Sequence, residues 1–345
     1  MEYFASFEMP NNTETTTYYS LYDLRKCVFG APLWDSGNGS LLKIDNEQEL
    51  LNENHEQASK ALSDSNTHTS GICLKFYTNS HFLTLFAKIS RKYATLKMLN
   101  CGAAGFDLYK KTQFGYYHLT VIAPEEPNNI FCHTINIGEP GEIIIYFPCY
   151  SAVEEIYIGI NKNSNISDPK PFSNTPLAIY GNSCTQGASA SRSGLAYTNI
   201  LQRELDCEVF NFSFSAACRA EKSIANRIIQ LMTKNDISAF IIDCSKNNKT
   251  LDEFNERYEQ FYKTIRSKWK SIPIILIGAL ATEQYDIEIR RIFEQEKHHK
   301  TYYISLNKLF KDYSLDTFTI DGTHYTDIGM IKIANAIKTF LLQKN

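Results

Sequence analysis

The sequence predicts a two-part chain, an antiparallel β-sandwich followed by a three-layer α/β/α domain with five parallel strands. Three observations carry that expectation. Between about residues 70 and 160, short apolar stretches follow one another, separated by turn residues and with no helical period between them. From residue 177 onward strand and helix alternate five times, and right-handed crossovers place such strands in one parallel sheet with helices on both faces. Between them lies NKNSNISDPKPFSNTP, residues 161–176, polar and without periodicity, which reads as a linker between domains at 1–165 and 175–345.

Composition sets the outer bounds. The 345 residues are 43% hydrophobic and 21% charged, enough chain for two ordinary domains and too apolar for disorder. A formal net charge of -3 argues against a broad basic surface for nucleic acid. The first twenty residues lack a basic start followed by an apolar core, and no run approaches the ~20 apolar residues that span a bilayer, so a cytoplasmic chain without membrane contact is expected. Nine cysteines, an odd number without a CxxC pair and mostly inside apolar runs, read as reduced buried thiols.

Residues 1–64 are mixed. LYDLRKCVFGAPLW suggests a strand and turn around Trp34, and residues 47–62 a polar loop or short helix. His55 and His68 have no ligand-type neighbours in sequence and read as surface residues. SGICLKFYTNS and HFLTLFAKIS then alternate apolar positions (Ile72, Leu74, Phe76; less cleanly Phe82 and Ala87) around Asn79-Ser80, which predicts a hairpin. Five more strand-like runs follow, punctuated by Gly115, Pro127, Gly138, Pro140-Gly141 and Pro148. The aromatic residues here (Phe114, Tyr116, Tyr117, Tyr146, Tyr150, Tyr157) suit core packing, and could also present stacking platforms for a sugar. The second half predicts strands LAIY, CEVFNF, AFIIDC, PIILIG and TYYIS, with helices near 196–205, 221–232, 251–268, 287–297 and 327–342.

The chemistry concentrates in LAIYGNSCTQGASASRSG, residues 177–194. The apolar run stops at Gly181 and presents Ser183 two residues later, at a strand-to-helix turn that lifts a small side chain out of the sheet beside helix N-terminal N–H groups. Near the end of the chain stands Asp321-Gly322-Thr323-His324. A serine, a histidine and a carboxylate three residues before it are the parts of acyl-transfer chemistry, in which imidazole takes the serine proton and the carboxylate fixes its tautomer. Ser183, Ala216 and Asn247 all follow strands, and in a parallel sheet the loops at the carboxyl ends converge.

With Gly181-Asn182-Ser183, Asn211–Ala216, Asp243-Cys244-Ser245-Lys246-Asn247 and Asp321–His324 in that order, the sequence resembles the SGNH, or GDSL, hydrolases. Ser70-Gly71-Ile72 and Gly105-Phe106-Asp107-Leu108-Tyr109 look like the β-sandwich, often a jelly roll, that precedes the catalytic domain in one bacterial branch of that family. The resemblance implies a flavodoxin-like catalytic fold, Ser183 as nucleophile with His324 and Asp321, and an oxyanion hole built from Ser183 N–H, Ala216 N–H and the Asn247 amide, with Asn248 as Asn247's rival. It implies an esterase or deacylase for a small acyl group, plausibly acetyl, on a carbohydrate or related metabolite; acyl transfer, or a binding protein that keeps the fold, are the alternatives.

Three positions depart from the pattern: Asn182 for Asp, Ala216 for Gly, and Asn248 where Asp is common. None removes a proton-transfer group, but if φ at 216 must be positive, alanine there costs about 1 kcal/mol or slightly more. Arg192 and Arg219, each following a catalytic block, are candidates for substrate contact and equally for structural roles. Cys184 is expected to point inward as the residue after an elbow serine. The His298-His299 pair reads as a cationic helix end, and neither metal nor organic cofactor is expected. Association into a homo-oligomer is compatible with everything above.

Overall fold

Two antiparallel sheets face each other in the N-terminal half of the computed structural model, which describes residues 1–3, 6–34, 39–45, 56–91, 97–125 and 128–344. One sheet runs Glu2–Tyr3, Ile130–Asn136, Phe82–Arg91, Ser151–Asn161, Thr16–Ser20. The other runs Ile166–Ser167, Cys73–Thr78, Gly141–Tyr146, Phe106–Thr112, Gly115–Ile122, with Val28–Phe29 also paired to Cys73–Thr78. Leu74, Phe76, Leu83, Leu85, Ile143, Ile145 and Ile158 alternate inward from both sheets into one core. Burying each such side chain is worth about 1.5–3 kcal/mol.

The hairpin expected across Asn79-Ser80 does not form. Cys73–Thr78 pairs with Gly141–Tyr146, whereas Phe82–Arg91 pairs with Ser151–Asn161 and Ile130–Asn136 in the opposite sheet. The turn is a corner between sheets, held by the Ser80 hydroxyl, which bonds the Phe82 carbonyl and Asn161 Oδ1. The inward set of the second strand is therefore Leu83, Leu85, Ala87 and Ile89, and Phe82 is exposed. Of the segment 47–62, residues 47–55, including His55, lie outside the described residues, as does Pro127; a helix occupies Glu56–Thr67.

The C-terminal sheet is all parallel, in the order Cys207–Ser213, Asn174–Gly181, Ala239–Asp243, Ile274–Ile277, Thr301–Ile304. Ala239–Asp243 and Ile274–Ile277 are buried at every residue, as a sheet covered on both faces requires. Tyr197–Leu205 and Asp327–Lys344 cover one face; Lys222–Leu231, Leu251–Lys268 and Glu283–Glu296 cover the other. Leu251–Lys268 shows why such segments are helical: Thr250 Oγ1 accepts the Glu253 N–H at 3.1 Å, and Phe254, Tyr258, Phe261, Tyr262 and Ile265 form one buried stripe. Among the described residues, no helix is long and apolar enough to cross a membrane.

Both N-terminal motifs lie where the two halves touch. Ser70 Oγ donates to the Gln186 carbonyl at 2.8 Å, and a side chain on Gly71 (φ +87°) would meet Asn211 Cβ at 2.5 Å. Asp107, fully buried, accepts the Gly194 N–H and Arg192 Nη1, each at 2.8 Å, while His118 Nε2 lies 2.9 Å from its other oxygen. Phe106 and Leu108 face the sandwich core; Asp107 and Tyr109, one residue out of phase, face the second half.

Candidate active site

The carboxyl ends of three adjacent strands build the floor. Asn174–Gly181 closes at a residue where a Cβ would lie 1.9 Å from Thr185 Oγ1, so only glycine lets the chain fold back this tightly. Asn182 Oδ1 then caps the short helix Ser183–Gln186 by accepting the Cys184 N–H at 2.8 Å. Asparagine here thus performs the capping an aspartate would. Ser183 is the first residue of that helix, and its N–H has no intrahelical acceptor. Beyond Cys207–Ser213, the Ser215 N–H is held by Gln186 Oε1 at 3.1 Å, and Ala216 sits exposed at φ +59°. Beyond Ala239–Asp243, Lys246 also takes the left-handed conformation (φ +66°) and Asn247 follows.

The wall comes from the far end of the chain. Thr319 and Tyr325 form an isolated antiparallel bridge, and the tight loop between them bends at Gly322 (φ +80°). Asp321 Oδ1 accepts the backbone N–H groups of Thr323 and His324 at 3.0 and 2.9 Å, which folds the carboxylate back under the imidazole. Asp321 Oδ2 lies 2.8 Å from His324 Nδ1, and His324 Nε2 lies 2.9 Å from Ser183 Oγ. With Nδ1 donating to the carboxylate, Nε2 is left to accept the serine hydroxyl. Asp321 Oδ2 also takes the Lys97 ammonium at 2.7 Å. Partial burial raises the Asp321 carboxyl, but the bonds from Lys97 and His324 outweigh it and hold the group well below the usual carboxylate range.

These groups open into a cleft of about 420 Å³ lined by Ser183, Ala216, Asn247 and His324, with Lys97 and Tyr150 contributed by the sandwich half. The Tyr150 hydroxyl donates to Ser215 Oγ (3.1 Å) and lies 3.3 Å from the Ser183 carbonyl. Asn248 does not line the cleft; its side chain is buried. The arrangement presents a hydroxyl with a base in hydrogen-bonding contact, in a cleft that Ala216 and Asn247 also line.

Neither arginine singled out from the sequence reaches the cleft. Arg192 is turned toward the sandwich, where Asp107 and the Tyr109 hydroxyl hold its guanidinium; Arg219 is buried. Of the six aromatic residues considered as sugar platforms, only Tyr150 lines the cleft, and it is 2% exposed. His68 is not a surface residue: it is buried, its Nδ1 2.9 Å from Gln186 Nε2 and its ring against Tyr150. Cys184 is buried with its thiol 3.4 Å from the Thr323 carbonyl, and burial raises its pKa. Sequence reading gave no role to Lys97 or Lys246; Lys97 reaches the cleft from the sandwich half, and Lys246 from the loop after Ala239–Asp243. Among the described residues no group of His, Cys, Asp and Glu is arranged to hold a metal.

Residues 174–342 match the GDSL-like Lipase/Acylhydrolase family, and residues 38–166 match the GxDLY family, the N-terminus of SGNH hydrolase-type esterases. No curated protein matches the chain. Among solved structures, a GDSL-like lipase from Bacteroides ovatus is 24% identical with a TM-score of 0.78, over 95% of this chain and 98% of that one. A salicylyl-acyltransferase from a tetracycline biosynthetic pathway is 13% identical (TM-score 0.71, 94% and 96% covered). A family two carbohydrate esterase from Clostridium thermocellum, solved with cellohexaose, is 12% identical (TM-score 0.57, 80% and 93% covered). With its two halves matched in this order, the chain belongs to the SGNH/GDSL family of serine ester hydrolases, in the form that carries an N-terminal GxDLY domain.

Proposed function

We propose that Ser183, His324 and Asp321 form the catalytic triad of an esterase that removes a small acyl group, acetyl in the first instance, from a carbohydrate or carbohydrate-like alcohol. In this mechanism Ser183 Oγ attacks the ester carbonyl while His324 Nε2 takes its proton. The tetrahedral oxyanion is met by the N–H groups of Ser183 and Ala216 and by the Asn247 amide. His324 then gives the proton to the departing alkoxide, leaving an acyl-serine, and a water activated by the same imidazole hydrolyses it. Asp321 keeps the imidazole in the required tautomer and stabilises the imidazolium throughout.

The observation that carries this reading is the unbroken Ser183–His324–Asp321 relay, 2.9 Å and 2.8 Å, in the lining of a cleft of small-molecule size. The carbohydrate part is supported by the fold shared with the Clostridium thermocellum enzyme, and the acyl part by the family itself. The fold is equally shared with an acyltransferase, so an alcohol in place of water as acceptor is the second reading. The test is fluorophosphonate labelling together with hydrolysis of 4-nitrophenyl acetate. Both should be present in the native protein and lost in Ser183→Ala; a native protein that shows neither is a binding protein on this fold, and a Ser183→Ala protein that keeps both excludes Ser183. Assays on acetylated sugars, with and without added alcohol, separate hydrolysis from transfer.

A further inference from the structure

Lys246 stands in the loop after Ala239–Asp243, between Asp243 and Asn247, with its side chain half-buried in the cleft wall. The other charged groups of that wall are committed. Lys97 is paired with Asp321, and Asp243 Oδ2 accepts the hydroxyls of Thr185 and Tyr197 at 2.8 and 3.0 Å. The Lys246 ammonium has neither an ion-pair partner nor a hydrogen-bond acceptor among the described residues. Its backbone is also held at φ +66°, a conformation that an L-residue with a long side chain adopts only where the surrounding structure imposes it. Partial burial lowers the pKa of this lysine, so its charge lacks part of the solvation it would have in open water. An anion entering the cleft would offset that loss.

Lys246 lines the same cleft as Ser183 and His324. The acyl group proposed above, acetyl, carries no charge, so an anion that meets this lysine belongs to the alcohol portion of the ester. We propose that Lys246 is a specificity-determining residue that selects esters whose alcohol portion carries an anionic oxygen group, an inference that rests on the acyl-enzyme reading above.

The pair 4-acetoxybenzoate and 4-acetoxybenzamide tests it, since the two esters differ chiefly in one charge. The native protein should favour the benzoate in kcat/KM, with the preference shrinking as salt rises. Lys246→Gln should lower the benzoate-to-benzamide ratio about tenfold, and Lys246→Glu should invert it. Dissociation constants measured in Ser183→Ala protein, where turnover does not interfere, should show the same contrast and lose it in Ser183→Ala/Lys246→Gln. A native protein with no preference for the benzoate, or a ratio that both Lys246 variants leave unmoved while the two substrates fall together, overturns the proposal. Turnover that survives Ser183→Ala instead overturns the nucleophile assignment, and the binding contrast still decides the role of Lys246.

Discussion

Ala216→Gly tests a position where an alanine occupies a backbone conformation that a side chain resists. Ala216 sits at φ +59°, and an L-residue in the left-handed region costs roughly 1–2 kcal/mol relative to glycine. Glycine loses about 0.4–1 kcal/mol through the greater freedom of its unfolded chain. The methyl is exposed, so its removal opens no cavity. The balance is a stabilisation of about 0.5–1 kcal/mol, or about 1–3 °C in Tm for a chain of this size. Urea unfolding monitored by fluorescence, with calorimetry alongside, measures it. Because the 216 N–H survives the exchange, kcat should stay within about threefold. A variant less stable than the native protein would refute the strain argument, and a tenfold loss of kcat at unchanged stability would show that the methyl itself contacts substrate.

Asn247→Ala should lower kcat by about 10²- to 10³-fold with an unchanged unfolding midpoint, as expected for loss of one oxyanion donor; unchanged turnover removes Asn247 from the mechanism. Lys97→Met removes one of the bonds that hold the Asp321 carboxyl below the usual carboxylate range, so that carboxyl should titrate at higher pH in the variant. Carboxyl NMR across acid pH measures it, and an Asp321 titration that stays in place shows that Lys97 is only a surface partner. Arg192→Met leaves the buried Asp107 carboxylate without its cation and should cost roughly 2–3 kcal/mol in urea unfolding while KM for 4-nitrophenyl acetate changes little; the reverse pattern would return Arg192 to substrate binding.

The α/β half was legible because its physics is local. Strands covered on both faces read as continuous apolar runs, AFIID and IILI, and helix 251–268 carries its own cap and buried stripe. The shared edge of Ser183, Ala216 and Asn247 follows from the same order, since loops after parallel strands open on one edge, whereas Asp321 and His324 stand on a loop that follows no sheet strand and were legible from their own spacing. In the sandwich, alternation gives the face of each strand but not its partner, and Asn79-Ser80 looks the same as a hairpin turn or as a corner between sheets. Arg192 was ambiguous for a related reason: it follows the block of the proposed nucleophile in sequence, but its partner, Asp107, lies 85 residues earlier.

A signal for that partner was present and overlooked. In Phe106-Asp107-Leu108-Tyr109 a period of two sends Phe106 and Leu108 into the sandwich core, so Asp107 and Tyr109 must share the opposite face. An aspartate and a tyrosine side by side on a strand face that is nonetheless buried need polar partners from another element, which the 192–194 turn supplies. The same contact reaches the chemistry. The loop carrying Ala216 is held by Gln186 from one side and, from the sandwich half, by Ser65 Oγ on the Ser215 carbonyl (3.1 Å), Lys43 Nζ on the Ser213 carbonyl (2.8 Å) and the Tyr150 hydroxyl on Ser215. The sandwich therefore fixes the backbone that carries the proposed oxyanion donor Ala216 as well as a wall of the cleft. Its mutations at the contact should register in kcat before they register in the affinity for substrate.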